Sequence, residues 1–179
     1  DLYQRYAQQL VESGHAYRCY CSAERLAQMR TRMAENKQSV RVYDRHCRDL
    51  SAADQARAEA QGVVPVIRFK VPIGGQTTFH DLIRGDITFN NDELDDLVLL
   101  KSDGYPTYNL ANVVDDHEME ISHIIRAEEF ISTTPTHVLL YQAFGFELPQ
   151  FAHVPRVLGS DRAKLSKRHG AVSINEFQK

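Results

Sequence analysis

Hydrophobic positions first fall at helical spacing. Tyr3, Tyr6, Ala7 and Leu10 share one face, and Gly14 stands where a helix C-terminus belongs. A short stretch, AYRCYC, follows. Ser22 is placed as an N-cap, with Leu26, Met29 and Met33 along one side. Positions 36–48 have no period and read as loop. Ser51 with Asp54 three residues on predicts a capped, alanine-rich helix ending near Gly62.

The period then shortens. PVIRFKVP (Pro65 to Pro72) is rich in strand formers and is broken by Gly74-Gly75. Thr77 to His80 and Asp86 to Phe89 predict two further strands around a turn at Arg84-Gly85. Leu97 to Lys101 predicts a buried fourth, closed by Asp103-Gly104. Four short strands in succession predict one small mixed or antiparallel sheet. After Pro106 strand and helix alternate: a helix over Leu110 to Glu118, a strand over Ser122 to Arg126, a helix capped at Thr134-Pro135 and ended by Gly145, and a strand over His153 to Leu158. That rhythm predicts half of a doubly wound parallel sheet, so the fold class is α/β.

Composition narrows the class. With 179 residues, 42% hydrophobic and 25% charged, the chain is globular rather than disordered or collagen-like. No apolar run approaches the roughly 20 residues that a membrane helix needs. A net charge of −3 argues against a uniformly basic nucleic-acid coat but allows a local patch. Three cysteines, an odd number, fit a reducing compartment better than a disulfide framework. The chain begins at Asp1, already in a helical pattern, and ends as another helix begins, so it is read as a piece of a longer protein.

Two segments carry candidate chemistry. In LGSDRAKLSKRHG, Arg162, Lys164, Lys167 and Arg168 lie between Gly159 and Gly170, as suits a mobile loop that brings charge to a phosphate. In YPTYNLANVVDDHEMEISHIIRAEEF, Tyr108 and Asn112 are one helical turn apart. Arg126 ends a predicted strand, where open α/β sheets bind ligands and where a guanidinium can grip a carboxylate. His117 and His123 read as structural.

These residues resemble bacterial glutamyl-tRNA synthetase, a class I aminoacyl-tRNA synthetase. The carriers are SDGYPTYNLANVVDDHEMEISHIIRAEEF, STTPTHVLLYQAFGF, FAHVP and KLSKRHGAVS, the last being that family's form of the class I "KMSKS" signature. LYQRYAQQL and RGDITFNNDELDDLVLLKSDG extend the resemblance over essentially the whole chain. It implies the second half of a class I Rossmann-like nucleotide-binding fold with an inserted α+β acceptor-binding domain. Residues 1–18 would be a linking helix, 19–100 the insert and 101–179 the half-fold with the KLSKR loop. It further implies that Tyr108, Asn112 and Arg126 bind glutamate. Glu129, Val157, Lys164, Leu165, Ser166, Lys167 and Arg168 would bind ATP, with Lys164 and Lys167 catalytic. The other class I signature, His-Ile-Gly-His, is absent from these residues and belongs upstream.

Cys19-x-Cys21 and, 25 residues on, Cys47-x-Asp49 are spaced to close on one zinc. Members of the resembling family carry a structural zinc there, with His in place of Asp49; His46 is a nearby substitute. The expected protein is therefore a cytoplasmic, monomeric ligase using ATP with Mg2+, L-glutamate and the acceptor end of tRNA. A shorter paralogue that glutamylates queuosine in tRNA, and a non-catalytic zinc and RNA-binding module, are alternatives.

Overall fold

The computed structural model describes residues 2–35, 43–156 and 158. The KLSKR loop and Val157 lie outside the described residues. Helix α1 (Leu2–Glu12) buries Ala7 and Leu10, and Gly14 reverses the chain at φ +78°. A non-glycine residue would be strained there. Strand β1 (Ala16–Cys19) follows. Helix α2 (Ala23–Glu35) starts at Ser22, whose hydroxyl accepts the Arg25 N–H. Helix α3 (Ala52–Ala60) starts at Ser51, whose Oγ accepts the Asp54 N–H at 3.1 Å.

The strands divide between two sheets. Strands β2 (Val66–Phe69) and β5 (Val98–Leu100) join β1 in an antiparallel sheet ordered β1-β2-β5. Strands β3 (Gln76–Asp81) and β4 (Gly85–Asn90) form a hairpin that leaves this sheet and pairs, through Asp81 and Phe151, with a later strand. The single small sheet expected from the sequence is thus split. The reason lies in the faces: Thr77, Phe79 and Asp81 are buried on alternate positions of β3, and Phe79 packs on Val138 and Phe151 rather than on the first sheet.

Helix α4 (Tyr108–Glu118) leads to strand β6 (His123–Ala127). A 3-10 turn over Glu128–Thr133 and helix α5 (Thr134–Phe144) return the chain to strand β7 (Gln150–Val154). Strands β6 and β7 pair in parallel, giving the order β4-β3-β7-β6. The β-α-β expectation holds, with two shifts. The cap of α5 is Thr133, and Thr134 is the first helical residue. Strand β7 begins three residues earlier than expected and ends before Pro155, which has no N–H for a ladder.

Helix α5 is buried on nearly every side. Val138 faces Phe79 and Phe151, while Leu139, Leu140 and Tyr141 join the main core of Leu10, Phe69, Leu99, Leu110 and Val113. The helix thereby holds the two sheets in fixed relation. A smaller core gathers Tyr17, Cys19, Met29, Tyr43 and Cys47. Asp96, with no accessible surface, ties it to the first sheet. It meets Arg45 Nε at 3.3 Å and Arg48 Nη1 at 2.9 Å, and accepts the Tyr17 hydroxyl at 2.8 Å and the Val71 N–H at 3.3 Å. Removing one side of such a buried pair strands the other charges. Asp96→Ala is therefore expected to cost about 3–5 kcal/mol in urea unfolding; a loss below about 1 kcal/mol would refute this role for the cluster.

Candidate active site

Arg126 is the penultimate residue of β6, at its carboxyl end, and its side chain is half-buried. Three of its N–H groups are directed at neutral partners. Nε donates to His153 Nε2 at 3.1 Å, Nη2 donates to Thr134 Oγ1 at 2.7 Å, and Nη1 lies 3.4 Å from His137 Nδ1. The guanidinium also stands 5.4 Å from the centre of the Phe130 ring, within cation–π range. No ion pair of Arg126 occurs among the described residues. Burial pulls its pKa below the ordinary value, while Tyr108 and Asp116 oppose that shift.

An arginine cannot accept a hydrogen bond, so each imidazole must turn a lone pair towards it. His137 then carries its proton on Nε2 and donates to Asn109 Oδ1 at 3.0 Å. Burial, and then the Arg126 charge, push the His137 pKa down to about 3, so the ring is neutral at physiological pH. His153 has no accessible surface, and its Nδ1 lies 2.6 Å from Asp81 Oδ2. The hydroxyl of Thr134 donates to the Phe130 carbonyl at 2.9 Å, leaving its oxygen free to accept from Arg126. Thr134, expected from its sequence to cap α5, is a partner of the guanidinium instead.

The expected glutamate residues gather here. The Tyr108 ring, half-exposed at the start of α4, is 5.9 Å from His137 and 6.4 Å from Phe130. Asn112 lies one turn along the same face and donates to Asp116 Oδ2 at 3.0 Å; its Oδ1 is buried without a partner. Burial raises the Asp116 pKa and Arg126 lowers it, the first effect being larger. Glu129 is exposed in the turn directly after β6. Arg84 and Arg156 both reach Glu128, and the Arg84 Nε donates to the His153 carbonyl. A separate cleft of about 550 Å3 opens at the other end of β6 and β7, beside Asp116, Glu120, His123, Glu147 and Gln150. It offers carboxylates and, among the described residues, no lysine or arginine, so it does not suit an anionic substrate.

The three cysteine sulfurs lie within 4.8 Å of one another, with Cys21 and Cys47 at 3.5 Å. The fourth expected ligand is not among them: Asp49 is exposed and its carboxylate faces Lys70 Nζ at 3.3 Å. The oxygen beside the sulfurs is Tyr43 Oη, 3.2 Å from Cys19 Sγ and 3.5 Å from Cys21 Sγ, where it accepts the Cys47 N–H at 3.0 Å. Hydrogen bonds from Cys21 and then Cys47 hold the Cys19 thiol low, while Cys21, bonded to Cys19, is pushed high.

A family model described as "tRNA synthetases class I (E and Q), catalytic domain" matches residues 1–179. The chain belongs to this family. It is 54% identical over 178 residues to the glutamate–tRNA ligase of Moorella thermoacetica, covering 99% of this chain and 36% of that protein. The glutamate–tRNA ligase of Borrelia recurrentis is 53% identical over 178 residues, covering 99% and 35%. A crystal structure of a glutamate tRNA ligase from Elizabethkingia meningosepticum in complex with its amino acid matches with a TM-score of 0.86 and 38% identity, over 95% of this chain and 35% of that one. The chain thus spans about a third of the length of these relatives. In this member of the class I family, the resemblance named Arg126 and Tyr108 but passed over Asp81, His137 and His153. A signal existed: Asp81 falls on the inward side of an alternating strand, and His153 interrupts an apolar one, where such side chains need a reason.

A neutral buried histidine that gains a proton on unfolding makes stability fall as pH drops below its unfolded value near 6.5 and continue falling towards its folded value of about 3. Between pH 7 and pH 5 the His137 contribution is about 2 kcal/mol. Urea unfolding at the two pH values should show that loss, and His137→Asn should abolish this component; an unchanged difference would contradict the neutral ring.

Proposed function

We propose that this chain is the amino-acid- and nucleotide-binding portion of a glutamate–tRNA ligase. The observation that carries the reading is the Arg126 charge, fixed by neutral partners and, among the described residues, cancelled by no contacting carboxylate. A guanidinium in that state favours an anionic group of a ligand, and its planar fork matches the side-chain carboxylate of glutamate. Tyr108 flanks the same space, and the orphaned Asn112 Oδ1 is left to accept an N–H from the substrate. In this reading the α-carboxylate of glutamate attacks the α-phosphorus of ATP. The new P–O bond forms as the bond to the leaving pyrophosphate breaks. The terminal ribose hydroxyl of tRNA then attacks the acyl carbon, and AMP departs. No side-chain nucleophile is needed, so the protein contributes position and charge. Glu129 and Val157 would face the nucleotide. Lys164 and Lys167, with Leu165, Ser166 and Arg168 in the same loop, would meet the phosphates of ATP, which brings its own magnesium.

Residues 19–100 are proposed as the segment beside the tRNA acceptor end. The cysteine cluster is proposed to hold a structural zinc through Cys19, Cys21 and Cys47. Supporting it are soft donors at near-tetrahedral spacing, about 3.8 Å between sulfurs around one zinc. Tyr43 Oη is the fourth donor in place of Asp49, near the roughly 3.5 Å expected between sulfur and oxygen ligands. Bound zinc would fix the irregular loop that carries Tyr43 and Cys47.

Glutamate-dependent ATP–pyrophosphate exchange, measured on the complete gene product with tRNA present, tests the reading; absence of exchange with every amino acid would overturn it. Within that assay Arg126→Ala should lose about 3–5 kcal/mol in kcat/KM for glutamate, and near-normal glutamate use would remove Arg126 from the site. Elemental analysis of untagged protein should give one zinc per chain. Tyr43→Phe should lower that content while Asp49→Asn leaves it unchanged, and the reverse pattern would restore Asp49 as the ligand.

A further inference from the structure

Asp81 is the last residue of β3, far in sequence from Arg126, and its carboxylate is divided between two tasks. Oδ1 accepts the Ile83 and Arg84 N–H groups, each at 3.0 Å, and so closes the hairpin turn. Oδ2 accepts both the backbone N–H of His153, at 2.9 Å, and the ring at Nδ1, at 2.6 Å. Burial alone would raise this carboxyl, but His153 and the two turn N–H groups outweigh it and hold it below its ordinary value. The acid is therefore a fixed anion that accepts only.

We propose that Asp81 is a positioning residue for Arg126, acting by locking His153 in the tautomer that can receive the guanidinium. Thr134 Oγ1 also lies 3.1 Å from His153 Nε2, but the Arg126 Nε–H and an anionic Asp81 Oδ2 together set the direction of the donors. An anionic Oδ2 requires the proton on His153 Nδ1. That leaves a lone pair on Nε2, and the Arg126 Nε–H points at it. The opposite tautomer would set an N–H against an N–H 3.1 Å away and release the guanidinium from the plane that His153 and Thr134 define. The ring itself cannot drift, because its backbone N–H is held by the same carboxylate oxygen and its ring is fully buried beside Phe79. The β3–β4 hairpin, outside the half-fold that the sequence assigned to the amino-acid site, thereby sets the aim of the arginine. This inference deepens the glutamate reading and rests on it for its kinetic consequence.

The carboxamide of Asp81→Asn keeps the volume and can still accept at the turn. Its NH2 then faces His153, whose ring escapes the clash by moving its proton to Nε2 while the His153 backbone N–H loses its acceptor. Nitrogen-15 spectra of histidine-labelled protein should report the Nδ1–H tautomer for His153 in the wild type and the Nε2–H tautomer in Asp81→Asn. In the exchange assay the variant's KM for glutamate should rise about ten- to hundredfold, with the KM for ATP within about twofold. Asp81→Asn combined with His153→Gln should recover most of the loss, because the glutamine oxygen accepts from Arg126 without any tautomer to set. A purely structural Asp81 would show no such rescue. An Nε2–H ring in the wild type, an unchanged glutamate KM in Asp81→Asn, or no recovery in the double variant overturns the proposal. A tautomer switch between wild type and Asp81→Asn, with no exchange by the wild type, leaves the positioning role standing and removes the glutamate reading. If Asp81→Asn does not fold, the wild-type spectrum and the comparison of His153→Phe with His153→Gln decide: a glutamate KM at least tenfold worse with phenylalanine supports the acceptor role, and equal losses overturn it.

Discussion

A half-buried guanidinium surrounded by neutral acceptors is an unusual arrangement to maintain. Arg126 sacrifices part of its hydration, and the ordinary compensation, a contacting carboxylate, is absent among the described residues. What replaces it is distributed: two imidazole lone pairs, one hydroxyl, the face of Phe130, and the more distant charge of Asp116. A carboxylate in contact would stabilise the side chain more, but it would occupy the fork that the proposed glutamate carboxylate would need. Neutral partners fix direction without satisfying charge.

That requirement reaches back into the fold. His153 and Arg126 sit on neighbouring parallel strands in direct register, so their backbones are fixed relative to one another. His137 and Thr134 come from the first turns of α5, whose burial against both sheets leaves it no freedom to shift. Asn109 and Tyr108 come from the start of α4, which packs on α5 and α1 through Leu110, Val113 and Val114. Each partner of the guanidinium is therefore carried by an element whose opposite face lies in the core.

Elements with a strong local signal were legible in the sequence. The caps at Ser22 and Ser51, the turns at Gly14 and Gly145, and the hairpin around Arg84-Gly85 are decided by nearest neighbours, and they form as expected. Sheet membership was not legible. The β3–β4 hairpin has the same alternation whether it continues the first sheet or joins β7, and only the distant Phe151 and Val138 decide. The same holds at the site. Tyr108, Asn112 and Arg126 could be singled out because they lie in one contiguous motif. Asp81, His137 and His153 are spread over three segments and acquire meaning only when the strands assemble. At the cysteines, spacing predicted that the thiols would meet, and the oxygen beside them is that of Tyr43. Asp49 is drawn outward by Lys70, whereas Tyr43 is carried inward by its ring under Arg68, 3.8 Å from its centre.

The two polar clusters obey one rule at different scales. Asp96 collects Arg45, Arg48 and Tyr17 to bind the cysteine-bearing loop to the first sheet. Asp81 collects His153 and the hairpin turn to bind the second sheet's two inner strands, β3 and β7, to one another. In each case one inaccessible carboxylate satisfies donors from segments remote in sequence, so its burial is compensated only when all of those segments are correctly placed. Misplacing any one leaves an anion unpaired at a cost comparable to a large part of a domain's net stability. The clusters therefore select the assembled arrangement against near alternatives. This is the condition under which a guanidinium with no anionic contact among the described residues can be held in a fixed direction.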